Sequence, residues 1–216
     1  MFNEMCERNV AIRNTLMAGC FVSGDVEGVG RVFDEMPERN VVSWTMMVSG
    51  CAKHGRCVRA LELFQKMRRC GFGLDQVALV SALSACAELG DLELGRCIHS
   101  YVKRSFDGRK HEISITLHNA LIHMYASCGV LEEANEVFKD ILRRNTVTWT
   151  SMISGYAKHG YGEEALRVFE WMRNLDVVPD AVTFIGVLSA CGCAGYVEKG
   201  EHCFKEMKEK WSRATD

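Results

Sequence analysis

The side chains able to bind a metal or act as a nucleophile are plentiful in this 216-residue chain, which carries eleven cysteines and seven histidines. Cys191, Cys193, His202 and Cys203 together have the thiolate and imidazole donors of a zinc site. Their spacing fits no standard finger, and Cys191 repeats Cys86 from 105 residues earlier, so it reads as a small core residue. No metal and no cofactor are expected. His54 and His159 each precede a glycine, where a cation suits the C-terminus of a helix and no catalytic role is needed. What does recur is a set of neutral polar groups: Asn14 returns as Asn119, and Thr45 returns as Thr150. The chemistry open to an amide or a hydroxyl of this kind is hydrogen bonding.

Those residues belong to a text that the chain states twice. Asn14-Thr15-Leu16-Met17 returns as Asn119-Ala120-Leu121-Ile122, and Ser43-Trp44-Thr45 as Thr148-Trp149-Thr150. Ala52-Lys53-His54-Gly55 returns as Ala157-Lys158-His159-Gly160, and Leu83-Ser84-Ala85-Cys86 as Leu188-Ser189-Ala190-Cys191, all without a gap. Within each copy, Gly24, Gly55, Gly90, Gly129, Gly160 and Gly195 follow apolar stretches and fit the left-handed backbone that ends helices. After Gly55, the residues Val58, Leu61, Phe64 and Met67 form one apolar stripe, and after Gly160 so do Ala165, Leu166, Phe169 and Met172. The unit is therefore helix, glycine turn, helix. A pair of short helices cannot bury its stripe alone, but a stack of pairs can. The expected fold is all-α, a right-handed α-solenoid of stacked helix-turn-helix repeats.

Phe2-Asn3-Glu4-Met5-Cys6-Glu7-Arg8-Asn9 repeats as Phe33-Asp34-Glu35-Met36-Pro37-Glu38-Arg39-Asn40. Residues 1–9 are thus expected to be a partial repeat, second helix only. Short repeats follow at 10–40 and 115–145, medium ones at 41–75 and 146–180, and long ones at 76–114 and 181–216, the last of them incomplete. The polar stretch 106–114 reads as a loop insertion, and 212–216 as a frayed end. Apolar faces at the broken ends (Phe2 and Met5, Phe204 and Met207) lead us to expect some self-association. No signal or transit peptide is visible, and because the chain opens halfway through a unit it reads as a fragment.

Only two prolines and the lack of strand-like alternation agree with an all-helical chain, and a hydrophobic content of 48% agrees with a continuous core. A net charge of −2 does not announce a nucleic-acid binder. The cysteines read as small core residues in a reducing compartment. No run is long enough to span a bilayer, so no membrane partner is expected.

These units resemble pentatricopeptide repeats. The openings Val41-Val42-Ser43-Trp44-Thr45 and Thr146-Val147-Thr148-Trp149-Thr150 are similar to that family's first helix. Ala60-Leu61-Glu62-Leu63-Phe64 and Glu164-Ala165-Leu166-Arg167-Val168-Phe169 are similar to its second. The alternation of three lengths resembles the plant PLS subclass, and the resemblance covers essentially the whole chain. It fits tetratricopeptide repeats poorly, since their W-x2-L-G-x2-Y opening is absent.

The resemblance implies sequence-specific binding of single-stranded RNA at one base per repeat. It further implies the address part of an organellar RNA-processing or C-to-U RNA-editing factor, in mitochondrion or chloroplast, with editing or processing proteins as partners. The family reads a base with the fifth and last residues of each repeat and clamps it with the second. Carried over, the base-reading pairs are Asn14 with Asn40, Thr45 with Asp75, Asn119 with Asn145 and Thr150 with Asp180. The clamps are Ala11, Val42, Thr116 and Val147. The long repeats place Val80 and Ile185 fifth, which cannot read a base edge, and keep Val77 and Val182 as clamps. In the family's code Asn/Asn resembles a pyrimidine reader and Thr/Asp a guanine reader. The expected register is pyrimidine-G-any-pyrimidine-G-any. Lys53 and Lys158 stand where the family places a phosphate contact. Val22, Ser127 and Glu88 occupy that place in other repeats, so few phosphate contacts are expected.

Each assignment has a plainer reading. Asn14, Asn119, Thr45 and Thr150 also suit helix caps. Asn40, Asn145, Asp75 and Asp180 also suit turns. Trp44 and Trp149 at helical spacing read as core before they read as base-stacking platforms, and Lys53 and Lys158 read equally as solvated. Many PLS-class proteins end in a deaminase-like domain whose zinc chemistry needs H-x-E and C-x-x-C. Neither motif occurs here, so the chain is not expected to be an enzyme. The alternative function is a helical-repeat protein-interaction scaffold with no RNA activity.

Overall fold

The computed structural model describes residues 2–105 and 113–212, with side chains from 9 to 105 and from 113 to 209. All regular structure among the described residues is helical. The expected insertion at 106–114, save its last two residues, and the end beyond Ser212 lie outside them, as do the side chains of Phe2 and Met5. The chain divides into two compact units, Met1–Ser105 and Phe106–Asp216.

The first unit holds α1 (Phe2–Val22), α2 (Val26–Asp34), α3 (Val41–Lys53), α4 (Cys57–Arg69), α5 (Gln76–Leu89) and α6 (Leu92–Ser105). Helices α1 and α2, α3 and α4, and α5 and α6 pair as hairpins. The first helices stack in order, α1 on α3 on α5, and α2 and α4 also pack on the first helices that follow them, α3 and α5. The second unit repeats the plan with α7 (Ile115–Ser127), α8 (Leu131–Asp140), α9 (Thr146–Lys158), α10 (Gly162–Asn174), α11 (Ala181–Ala194) and α12 (Val197–Ser212). Helices α3 and α9 begin and end 105 residues apart, as do α4 and α10, and α5 and α11.

The helix ends follow from residue chemistry. Asn40, Asp75, Asn145 and Asp180 open α3, α5, α9 and α11, each accepting a hydrogen bond from the amide three residues on, at 2.8–3.0 Å. That satisfies an otherwise orphan donor of the first turn. Gly90 closes α5 at φ 68, a backbone that a Cβ disfavours, and the other five turn glycines are also left-handed. Close stacking needs a second kind of glycine. A Cβ on Gly155 of α9 would meet the Ala126 Cβ of α7 at 2.7 Å, so a larger residue would push the helices apart.

The core runs along the inward stripes. Trp44 and Trp149 are buried, each edge-on to a second-helix phenylalanine, Phe33 at 4.9 Å and Phe138 at 5.0 Å. Arg39 and Arg144 lie over those phenylalanine rings and donate from Nε to the Phe33 and Phe138 carbonyl oxygens. Each guanidinium thereby closes a second helix while shielding the ring below it. Leu61, Phe64 and Met67 are buried as their spacing predicts. Val58 is not: it sits in the first turn of α4 and lines a surface cleft with Ala52 and Leu89. Of the cysteines, Cys51, Cys86, Cys191 and Cys203 are buried, but Cys70, Cys97 and Cys193 are exposed, so the core reading holds for only part of the set.

One expected break is absent. Helix α1 runs through the junction at residues 9 and 10. Asn9, the counterpart of the cap Asn40, accepts instead from Arg13 Nε at 3.1 Å along the helix, and α1 packs on α2 and α3. With no amide turned toward the Asn9 side chain as a cap requires, the helix propagates. Among the described residues no helix is long and apolar enough to cross a membrane.

Candidate functional site

The recurrent polar residues lie one turn inside the first helices. Asn119, Thr45 and Thr150 are the fifth residues of α7, α3 and α9, and Asn14 lies within α1. None is a cap; Ser114 and the last-place residues Asn40 and Asn145 do the capping. All four are buried to the same degree, 7–9% exposed, at the edge of the interface with the next first helix. Their predicted partners Asn40, Asp75, Asn145 and Asp180 are helix caps rather than simple turn residues, each standing between the first helix of its own repeat and the first helix that it caps.

The pairs meet in three ways. Thr45 Oγ1 donates to Asp75 Oδ2 at 2.8 Å. Asn119 Nδ2 donates to Asn145 Oδ1 at 3.2 Å. Thr150 reaches Asp180 through an intermediary, bonding the Thr183 hydroxyl at 2.7 Å, which donates to Asp180 Oδ1 at 2.7 Å. Asn14 and Asn40 share no such bond: the Asn14 Oδ1 atom is buried without a partner among the described residues. There the Ser43 hydroxyl serves Asn40 alone, whereas the single hydroxyl proton of Thr148, its counterpart, is shared between Asn145 Oδ1 at 2.8 Å and Asn119 Oδ1 at 2.7 Å.

Spacing alone did not single out Ser43, Thr148 and Thr183. All three are fully buried, at 0% exposed; Thr148 and Thr183 join cap to reader, and Ser43 bonds the cap. Their signal was available: a hydroxyl three residues after an Asn or Asp is the spacing of a capping box, and all three boxes form.

The second-place residues face outward. Val42, Val77, Val147 and Val182 are each 53–56% exposed although apolar, and Ala11 and Thr116 are exposed as well. A cleft of about 430 Å³ brings several predicted residues together, being lined by Val147 and Val182, by Thr150 and Asp180, and by Lys158. An apolar wall on each side, a polar pair at the edge and a cation at the rim can hold a flat, neutral polar ring whose attached anionic group lies at the rim. Lys53 and Lys158 are exposed at the ends of α3 and α9. Of the long repeats' fifth residues, Val80 is half-buried and Ile185 is exposed.

His54 and His159 play a packing part. His54 Nε2 lies 3.1 Å from the Phe21 carbonyl oxygen and His159 Nε2 lies 2.7 Å from that of Ala126, each tying a first helix to the one before it. Among the described residues no group of three His, Cys, Asp or Glu side chains is placed to hold a metal.

Sequence comparison now decides the family. A model of the PPR repeat matches residues 12–41, 42–72, 116–146 and 182–211, and a model described as PPR repeat family matches 144–193. The chain belongs to the PPR repeat family. A mitochondrial pentatricopeptide repeat-containing protein of Arabidopsis thaliana is 39% identical to this PPR chain over 209 residues, 97% of the chain and 32% of that relative. A second from the same plant is 44% identical over 213 residues, 98% of this chain and 39% of its own length. A chloroplastic one is 40% identical over 152 residues, 70% and 20% respectively. The PPR chain therefore spans between a fifth and two fifths of the curated relatives it matches. Among solved structures, maize PPR10 in complex with an 18-nucleotide psaJ RNA element superposes with a TM-score of 0.74 at 21% identity, over 96% of this chain and 31% of that one. At that identity the likeness is one of fold: an α-solenoid of stacked helix-turn-helix repeats.

Proposed function

We propose that this PPR chain binds single-stranded RNA, reading one base per repeat through Asn14/Asn40, Thr45/Asp75, Asn119/Asn145 and Thr150/Asp180. The repeats run 10–40, 41–75, 76–114, 115–145, 146–180 and 181–216, the PLS alternation of lengths, and each compact unit carries one word, pyrimidine-G-any. The observation that carries the reading is the repeated side-chain geometry. In both units a threonine buried at the helix edge is joined to the aspartate that caps the next helix, beside an outward-facing valine. A core does not need an exposed valine there, and a cap does not need a partner on the preceding helix. A flat base stacked on the valine and hydrogen-bonded at its edge uses both.

PPR10, which has this fold, lends support by forming a complex with an 18-nucleotide RNA. The mitochondrial and chloroplastic names of two relatives support an organellar setting. In this reading the whole protein is an RNA-processing or C-to-U editing factor working with partner proteins. This segment, which contains neither H-x-E nor C-x-x-C, supplies the address and not the chemistry.

The test is binding of the full chain to single-stranded RNA carrying pyrimidine-G-any-pyrimidine-G-any, beside the same RNA with both G bases changed to A. A preference for the first, abolished by Thr45→Ala with Thr150→Ala, is the expected result. Equal binding to both refutes the code while leaving an RNA binder. A folded chain that binds neither refutes the RNA reading in favour of a protein scaffold.

A further inference from the structure

The two Thr/Asp sites carry the same reading pair and differ in the buried residue three places after the cap, Ala78 in the first and Thr183 in the second. In the first unit the Ala78 amide donates to Asp75 Oδ1 at 2.8 Å and the Thr45 hydroxyl donates to Oδ2 at 2.8 Å. Both oxygens of that carboxylate are engaged. In the second unit, Thr183 stands 105 residues after Ala78. Its amide and its hydroxyl both donate to Asp180 Oδ1, at 2.8 and 2.7 Å. A carboxylate cannot donate, so the single Thr183 hydroxyl proton is spent on it. Thr150 must then supply the proton of the 2.7 Å bond between the two hydroxyls. The Thr183 oxygen also accepts from the Asp180 amide at 3.2 Å. Asp180 Oδ2 is left with no donor among the described residues. The carboxylates differ in openness in the same sense, Asp180 being exposed and Asp75 half-buried.

We propose that the third residue of the following first helix sets the strength of guanine selection at a Thr/Asp site: Thr183 draws the reader's hydroxyl onto itself and releases a carboxylate oxygen to the base, whereas Ala78 leaves that oxygen bound to the reader. The inference rests on the RNA reading above. Guanine presents two donors on its Watson–Crick edge, N1–H and the N2 amino group, and a carboxylate oxygen without an internal donor accepts from them at full strength. One already shared with a hydroxyl accepts less well. In both sites the threonine has spent its own proton, so its oxygen is an acceptor as well. Thr183, at 0% exposed, cannot touch RNA and acts only through its neighbours. It is a positioning residue.

The experiment measures binding of the full chain to pyrimidine-G-any-pyrimidine-G-any RNA, with each G changed singly to A. The G-to-A loss at the second G is expected to exceed that at the first by about threefold to tenfold, part of one charge-assisted hydrogen bond. Thr183→Ala should lower the second loss to the level of the first, Thr183→Ser should preserve it, and Ala78→Ser should raise the first. A merely structural role for Thr183 would weaken binding to every RNA alike and leave the ratios unmoved. Equal losses at the two G positions, or ratios that Thr183→Ala leaves unchanged in a sample that stays helical, overturn this inference and leave the RNA reading standing. A folded, unmodified chain that binds neither RNA overturns both.

Discussion

Asp75 offers the sharpest separation of folding from reading. It opens α5 by accepting from the Ala78 amide, and it accepts the Thr45 hydroxyl from the preceding first helix. Asp75→Ala removes an N-cap, worth about 1 kcal/mol. It also strands a hydroxyl that is only 9% exposed, for about 1 kcal/mol more. The expected loss is about 2 kcal/mol, or about 4–8 °C in the thermal midpoint of a chain this size. Asp75→Asn is different. Asn caps as well as Asp, its Oδ1 keeps the Ala78 amide, and its Nδ2 falls where Oδ2 stood, so Thr45 changes from donor to acceptor. Only the charge at the helix N-terminus is lost, about 0.5 kcal/mol, or about 1–2 °C. On the RNA reading proposed above, the face shown to the base is inverted, because an amide N–H now stands where a carboxylate accepted. Guanine's donors clash with it and adenine's N1 acceptor suits it. Thermal unfolding followed by circular dichroism, with RNA binding to G and A at that place, reads both effects. If Asn destabilises as much as Ala and the base preference stays with G, then charge rather than hydrogen-bond direction does the work, and the reasoning is wrong.

Other expectations follow from single features. Asp176, after α10, holds φ 55 where Gly71 holds φ 76 after α4; Asp176→Gly should stabilise the chain by about 1 kcal/mol in urea unfolding, and a loss would show the aspartate side chain to be needed there. Burial pushes the Cys51, Cys191 and Cys203 thiols above the ordinary value of 9.0. The unfolded chain gives up those protons first, so their contribution to stability is complete below that pH and is lost as pH rises through the folded values; iodoacetamide at neutral pH should label Cys70, Cys97 and Cys193 while sparing these three, and equal labelling would contradict their burial. With Lys53 and Lys158 as the phosphate contacts, the logarithm of RNA affinity should fall with that of salt at a slope of about −1.4, and a slope several times steeper would mean that other cations carry the binding.

The helix ends were readable because each end has its own residue chemistry and recurs 105 residues later. Gly55 and Gly160, or Asn40 and Asn145, say the same thing twice. Trp44 and Trp149 could be placed in the core from spacing alone. The position of Asn14, Asn119, Thr45 and Thr150 could not be settled that way, since an amide or hydroxyl suits a cap as well as an interhelical bond, and only the partner decides. Val58 fell on an apolar stripe by periodicity yet faces solvent, because a stripe names a helix face and not how far the neighbouring helix reaches along it. The buried hydroxyls of Ser43, Thr148 and Thr183 were legible as capping boxes, but the reach of Thr148 and Thr183 back to the preceding first helix depends on how closely the first helices stack. Gly155 against Ala126 shows how close that is, a fact of packing that no spacing rule contains.

A residue that opens one helix and faces a base answers to two masters. Asn40, Asp75, Asn145 and Asp180 each cap the helix that follows them. A side chain with a short, well-placed acceptor starts a helix in that way, so Asn, Asp, Ser and Thr, and with little more cost Gly, hold the position with little loss of stability. On the reading proposed here, mutation at these places explores a small alphabet rather than twenty. A drifting copy of this chain would then change its target by swaps within that alphabet or at the fifth residue, and swaps beyond it would be removed as folding defects before they were ever tried as new addresses.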